Sequence, residues 1–226
     1  MQRHGLFING EECDAEGGAT YPSINPANGM PWAEFAAAST ADVDRAVAAA
    51  KAAHESGVWR LKPPAERAEI LRRIADSITD HHMDLVMTEI QDSGGTMRKG
   101  NGADIMGANM SFGQHAEFCD ALEHEQATQE FFPIEATSIV RKEPVGVVAA
   151  IIPFNFPFAA ASWKVAPALA AGCTLVLKPS PYTPATALMM AKICSEAGVP
   201  PGVINVITGP NPDIGAALVA HDDVNK

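Results

Sequence analysis

The sequence has no Cys-x-x-Cys pair, no cluster of histidine and cysteine at metal-ligand spacing, and no Gly-x-Gly-x-x-Gly. The first two absences argue against a disulfide framework and a structural zinc site, both of which need closely grouped ligands. Four dispersed cysteines, Cys13, Cys119, Cys173 and Cys194, fit reduced thiols in a cytoplasmic protein. Basic charge is also short. Against 27 acidic residues stand 16 basic ones, a net charge of -11, so nothing draws the chain toward phosphate backbones or anionic lipid. Nucleic acid and membrane are excluded as partners on that ground. No apolar run is long enough to span a bilayer, and the opening MQRHGLFINGEE has no signal-peptide core. Internal repeats and low-complexity linkers are lacking too.

What is present is a large apolar fraction, 47%, enough for a sizeable core in 226 residues. The first hundred residues read as short strands and turns followed by helices. Asn9-Gly10, Asn25-Pro26 and Asn28-Gly29 are turn signals. Ser39 with Asp42 resembles a capping box, after which Val43, Ala46, Val47 and Ala50 recur on one helical face. A second helix is expected from Pro64, with Ile70, Ile74 and Ile78 on its stripe. A third places Met83, Val86, Met87 and Ile90 on a core-facing stripe and stops at Gly94-Gly95.

From about Val145 the pattern changes to short continuous apolar runs alternating with helices, as a parallel sheet covered on both faces requires. The runs are Val145 to Ile152, Cys173 to Leu177 and Val203 to Ile207. Between and after them, helices are expected over 158–171, from a Thr183 cap and Pro184 to before Gly198, and over 212–221. The fold class is therefore α/β, a Rossmann-like parallel sheet flanked by helices, preceded by N-terminal helices and strands. Such sheets bind ligands beyond the carboxyl ends of their strands, which directs attention to the residues after Ile152, Leu177 and Ile207.

The first of these loops is Pro153-Phe154-Asn155-Phe156-Pro157. The Asn155 amide offers two donors that never titrate, which suits an oxyanion hole; equally, asparagine commonly satisfies loop backbone groups. After the second run, Lys178 stands at the end of a buried strand, where a charge wants a partner such as a ribose hydroxyl or a phosphate, or where it simply emerges into solvent. After the third, Gly209 and Gly215 allow close backbone approach of a cofactor or form an ordinary strand-to-helix turn. The cysteines are poor nucleophile candidates: Cys119 and Cys194 lie in helical stretches, Cys173 opens a buried strand and Cys13 sits in the turn-rich lead. The seven histidines show no catalytic spacing.

Taken together, IIPFNFPFAAASWKVAPALAAGCTLVLKPSPYTPATAL and AGVPPGVINVITG resemble the cofactor-domain signature of the aldehyde dehydrogenase superfamily. The resemblance extends from FINGEE and the NPANG turn to HDDVNK, and it accounts for the missing Gly-x-Gly-x-x-Gly, which this family does without. It implies an NAD(P)-dependent enzyme that oxidises an aldehyde to a carboxylic acid. A cysteine thiolate would attack the aldehyde, Asn155 would hold the oxyanion, hydride would pass to the nicotinamide, and a glutamate-activated water would release the acid. Ile151, Ile152, Pro153 and Phe154 would line the cofactor crevice and Lys178 would bond the adenosine ribose, with Ser180, Pro181, Gly209 and Gly215 also at the cofactor. No metal is implied. Three segments follow: 1–123, N-terminal strands and helices of the cofactor domain; 124–143, a hairpin for homodimer or homotetramer assembly, carrying Phe131, Phe132, Pro133 and Ile134; and 144–226, the βαβαβα unit.

Three departures from the family pattern matter. Pro181 stands where many NAD-preferring members have a glutamate on the ribose hydroxyls, which leaves NADP acceptable beside NAD. Asn211 replaces the second glycine of a Gly-x-Gly after the third strand. The sequence given also carries no match to the Thr-Gly-Ser turn, the general-base glutamate or the nucleophilic cysteine, so the resemblance implies that this chain alone is inactive. Its alternatives are a non-catalytic nucleotide-binding or oligomer-capping remnant, or part of a coenzyme A-acylating relative.

Overall fold

Turn chemistry divides the first 36 residues into five strands: β1 (Gln2–His4), β2 (Leu6–Ile8), β3 (Glu11–Cys13), β4 (Thr20–Asn25) and β5 (Met30–Ala36). In the computed structural model, which describes residues 2–123, 125–128 and 138–226, Asn9 and Gly10 have φ of 55° and 84°. That left-handed pair is what a two-residue hairpin loop needs, and it sets β2 and β3 antiparallel. The Ser39–Asp42 capping box forms as expected and starts α1 (Thr40–Ser56), which buries Val43, Ala46, Val47 and Ala50. In α2 (Pro64–Asp80), Ile70, Ile74 and Ile78 face the core, each stabilising the fold by about 1.5–3 kcal/mol through burial.

The third helix, α3 (His82–Ser93), departs from the expected stripe. Met83 and Met87 are half exposed, and the buried face carries Leu85, Val86, Glu89 and Asp92. Periodicity of apolar residues misplaces this face because two carboxylates belong to the interior. Beyond it come a single turn, α4 (Met97–Lys99), a π-helical stretch over 100–106, and α5 (Gly107–Asp120). The ribbon of β6 (Glu125–Ala127) and β7 (Ile139–Arg141) is antiparallel and exposed along both strands. The apolar cluster at 131–134 lies outside the described residues.

The βαβαβα unit follows: β8 (Val147–Ile151), α6 (Pro157–Ala171), β9 (Thr174–Lys178), α7 (Ala185–Glu196), β10 (Ile204–Val206) and α8 (Pro212–Ala220). Strands β8, β9 and β10 are parallel neighbours in a five-stranded sheet of order β3-β2-β10-β9-β8. Because successive strand residues point to opposite faces, Val176 joins the layer built on α1 and α8, whereas Leu175 and Leu177 join the layer of α6 and α7. The mixed character of the sheet comes from β2, which pairs antiparallel with β10 through Phe7 and Val206 and so covers that edge. On the opposite edge, Asn225 donates its N–H to Val147 O at 2.9 Å and Lys226 O accepts from Ala149 at 2.8 Å. Strands β1, β5 and β4 form a separate three-stranded sheet.

Candidate active site

Three loops gather beyond the carboxyl ends of β8, β9 and β10, where a doubly wound sheet presents its ligands. On the α8 face, Lys178 lies beside Ile151 in register, and its stem passes the start of α8 so closely that a Cβ on Gly215 would sit 3.7 Å from Lys178 Cδ and Cε. Lys178 is only 8% exposed, and among the described residues the one polar contact of its ammonium is with the carbonyl of the next residue, Pro179, at 3.3 Å. Burial lowers its pKa, and no carboxylate pairs with it among the described residues. It is a desolvated ammonium still short of acceptors.

Gly209 is required by packing rather than by φ. A Cβ there would come within 2.9 Å of buried Ile214 Cδ1 and 3.2 Å of Ala38 N, whose N–H is already bonded to Thr208 O. Asn211, the residue that departs from the family's glycine, caps α8: its side-chain oxygen accepts from Asp213 N at 2.9 Å, with Pro212 at the first helical position. Helix α8 therefore opens beside Lys178 with a formed N-terminus.

The loop after β8 points Phe154 and Asn155 outward. Asn155 is exposed, and its amide satisfies no loop group among the described residues, so the local role open to an asparagine here is not taken. Phe154 meets the Tyr182 ring edge to face at 6.0 Å. With Pro181, Tyr21, Ser23, Asp92 and Pro210 these rings border a cleft of about 790 Å³ between β4, α3 and the three loops. Asn155, Lys178 and Gly215 are not among the residues that border it. Ile152 is buried, Pro153 is exposed, and Ser180 uses its Oγ to accept Tyr182 N at 3.3 Å, shaping the turn at Pro181.

The expected Thr183 cap of α7 does not form. Pro184 occupies the cap position, and the Thr183 hydroxyl is buried without a hydrogen-bond partner. The Ala185 N–H is taken instead by Asp92 Oδ2 at 2.9 Å. One turn earlier on α3, Glu89 Oε1 accepts Phe158 N, the second residue of α6, at 3.4 Å, while Oε2 accepts Thr186 Oγ1 at 2.8 Å. Burial raises Glu89 to about 7 and Asp92 to about 6. Sequence reasoning missed both carboxylates; the signal was a pair at i and i+3 on a helix whose neighbours begin without capping side chains.

All four cysteines are free thiols. Cys119, Cys173 and Cys194 are buried, and burial pushes the Cys13, Cys119 and Cys194 thiols up, away from the thiolate a nucleophile needs. Among the described residues no group of three or more His, Cys, Asp or Glu side chains is placed to hold a metal ion, and no helix is long and apolar enough to cross a membrane.

Strands β8, β9 and β10 thus form a parallel, doubly wound unit lacking the glycine fingerprint, with a buried lysine at one strand end and an outward asparagine between prolines and aromatics at another. The aldehyde dehydrogenase family matches over residues 13–226, and the chain belongs to that family. It is 41% identical over 220 residues to aminoacetaldehyde dehydrogenase of Pseudomonas aeruginosa, covering 96% of this chain and 43% of that protein. It is 41% identical over 220 residues to the NADP/NAD-dependent aldehyde dehydrogenase PuuC of Escherichia coli, covering 97% and 44%. Among solved structures, a point mutant of betaine aldehyde dehydrogenase from Staphylococcus aureus in complex with NAD+ superposes with a TM-score of 0.94 at 35% identity, over 99% of this chain and 45% of that one. The chain thus spans less than half the length of these relatives.

Proposed function

We propose that this chain supplies the NAD(P)-binding half, and the oxyanion-holding amide, of an enzyme that oxidises an aldehyde to a carboxylic acid. The observation that carries the reading is Lys178: a buried ammonium without a carboxylate, at a strand end beside the N-terminal turns of α8, is a group waiting for an anionic or hydroxyl-rich ligand. The residues fit a dinucleotide. Lys178 would bond the ribose and Ile151, Ile152 and Pro153 would line the crevice, Gly215 leaves room beside the Lys178 stem, Gly209 lets its turn pack on Ile214 and Ala38, and Phe154 and Pro181 border the neighbouring cleft, with Ser180 shaping the turn at Pro181. When bound, NAD or NADP supplies the hydride acceptor.

Asn155 is the catalytic residue contributed by this chain. Its exposed amide holds the oxyanion that forms when a thiolate adds to the aldehyde, a fixed dipole needing no reorganisation as charge develops. That thiolate comes from outside the four cysteines described above: Cys119, Cys173 and Cys194 are buried, and burial pushes the Cys13, Cys119 and Cys194 thiols up. We read the protein as cytoplasmic and as a homodimer or homotetramer, a reading supported for assembly by the exposed backbone edge of the β6–β7 ribbon.

The test compares the 226-residue chain with the same chain extended to the full length of its relatives, following nicotinamide reduction with NAD and with NADP. The extended enzyme turns over and the short chain does not. In the extended enzyme Asn155→Ala lowers kcat by about 10²- to 10³-fold. An unchanged kcat removes the oxyanion assignment, and turnover by the short chain removes the division of labour.

A further inference from the structure

We infer that Glu89 is a positioning residue for Asn155, holding the α6 N-terminus, and with it the 153–156 loop, from α3. The inference rests on the oxyanion reading of Asn155. Helix α6 begins at Pro157 with Phe156 in its cap position, and Phe156 has no side chain able to accept a backbone N–H. The acceptor comes from another element. Glu89 Oε1 takes Phe158 N at 3.4 Å, three residues from Asn155, and Oε2 takes Thr186 Oγ1 at 2.8 Å in the second residue of α7. One carboxylate on one rigid helix thereby ties two helix starts together.

A second contact braces the same loop from the same side. Lys99 Nζ sits 4.6 Å from the centre of the Phe156 ring, next in sequence to Asn155, and is itself ion-paired to Asp104, whose side chain is fully buried. Glu89 is 1% exposed, so its hydrogen bonds are not shared with solvent. Asn155, by contrast, is exposed and has no hydrogen bond among the described residues to fix its direction. Its aim is therefore set by the backbone on which it stands, which Glu89 holds at Phe158 N while Lys99 packs over the neighbouring Phe156 ring. A displacement on the order of 1 Å at such a group is enough to cost about 10²-fold in rate.

Steady-state kinetics on the full-length enzyme test this with Glu89→Ala, Glu89→Gln, Thr186→Val and Asn155→Ala. Glu89→Ala lowers kcat by about 10- to 100-fold, with the cofactor KM within about 2-fold. Glu89→Gln, which keeps an acceptor for Phe158 N and a donor for Thr186 Oγ1, restores kcat to within about 3-fold. The decisive arm is the double variant: placed on Asn155→Ala, Glu89→Ala produces no further loss of kcat, because the group it positions is gone. Full additivity overturns the inference while leaving Asn155 in its role. An ineffective Asn155→Ala removes both. Where Glu89→Ala fails to fold, Thr186→Val carries the same cycle: a smaller loss of kcat that vanishes on the Asn155→Ala background supports the inference, and a loss that persists there overturns it.

Discussion

Asp92 Oδ2 accepts the Ala185 N–H at 2.9 Å, so the last turn of α3 caps the first turn of α7. The other oxygen, Oδ1, takes Ser23 Oγ at 2.5 Å and Trp32 Nε1 at 3.2 Å. Three elements distant in sequence, β4, β5 and α7, meet on one buried carboxylate.

Removing that carboxylate leaves the Ser23 hydroxyl and the Ala185 N–H without an acceptor, while Trp32 Nε1 keeps Ser23 Oγ at 3.1 Å. Asp92→Ala is expected to destabilise the fold by about 2–4 kcal/mol, read as a lower urea midpoint at unchanged slope. Thr183→Ala, at the position sequence reasoning names as the cap, changes stability by less than about 1 kcal/mol, because its hydroxyl has no partner to lose. Equal effects from the two variants would contradict the capping assignment.

Burial raises Glu89 to about 7, and this has a sign. A carboxyl whose folded pKa exceeds its unfolded value holds its proton longer in the folded state. Folding is therefore favoured at low pH, and that advantage is lost as pH rises from the ordinary carboxylate range through about 7. Glu89→Gln removes the titration. The stability of the Gln variant relative to the unsubstituted chain should rise between pH 5 and pH 8, by on the order of 2–3 kcal/mol. A constant difference across those conditions would show that Glu89 ionises freely.

Lys178 carries a desolvation cost that a ligand relieves. Lys178→Met is expected to raise the melting temperature of the unliganded chain by about 2–4 °C, corresponding to about 1 kcal/mol, while weakening NAD and NADP binding by 10-fold or more. Calorimetry of both forms checks the pair of effects. Loss of stability with unchanged affinity would reverse the assignment.

Pro181, three residues after Lys178 in sequence, carries no charge, so on the proposed cofactor reading a ribose 2′-phosphate would meet no carboxylate at that position. Pro181→Glu should shift preference toward NAD, lowering the NADP-to-NAD ratio of kcat/KM by about 10-fold through repulsion of the phosphate and new hydrogen bonds to the ribose hydroxyls. A ratio that does not move places the ribose elsewhere.

Local chemistry was legible from the start. The Ser39–Asp42 capping box, the Asn9-Gly10 hairpin and the Ile70, Ile74 and Ile78 stripe depend on neighbours within a few residues, and each forms as read. The order of strands and helices in the βαβαβα unit follows from the same short-range periodicities, with ends differing by at most two residues. The loop residues Asn155 and Lys178 stood out because polar side chains are conspicuous at the ends of apolar runs.

What the chain by itself determined is therefore its elements and its family, since those are written in contiguous stretches. Tertiary structure alone decided that β2 joins the parallel sheet, that α3 turns Glu89 and Asp92 inward while Met83 and Met87 face out, and that α6 and α7 take their caps from α3. The physical reason is common to all three. Each satisfies backbone or edge groups with partners far off in sequence, and a local pattern records the need for such a partner but not its source.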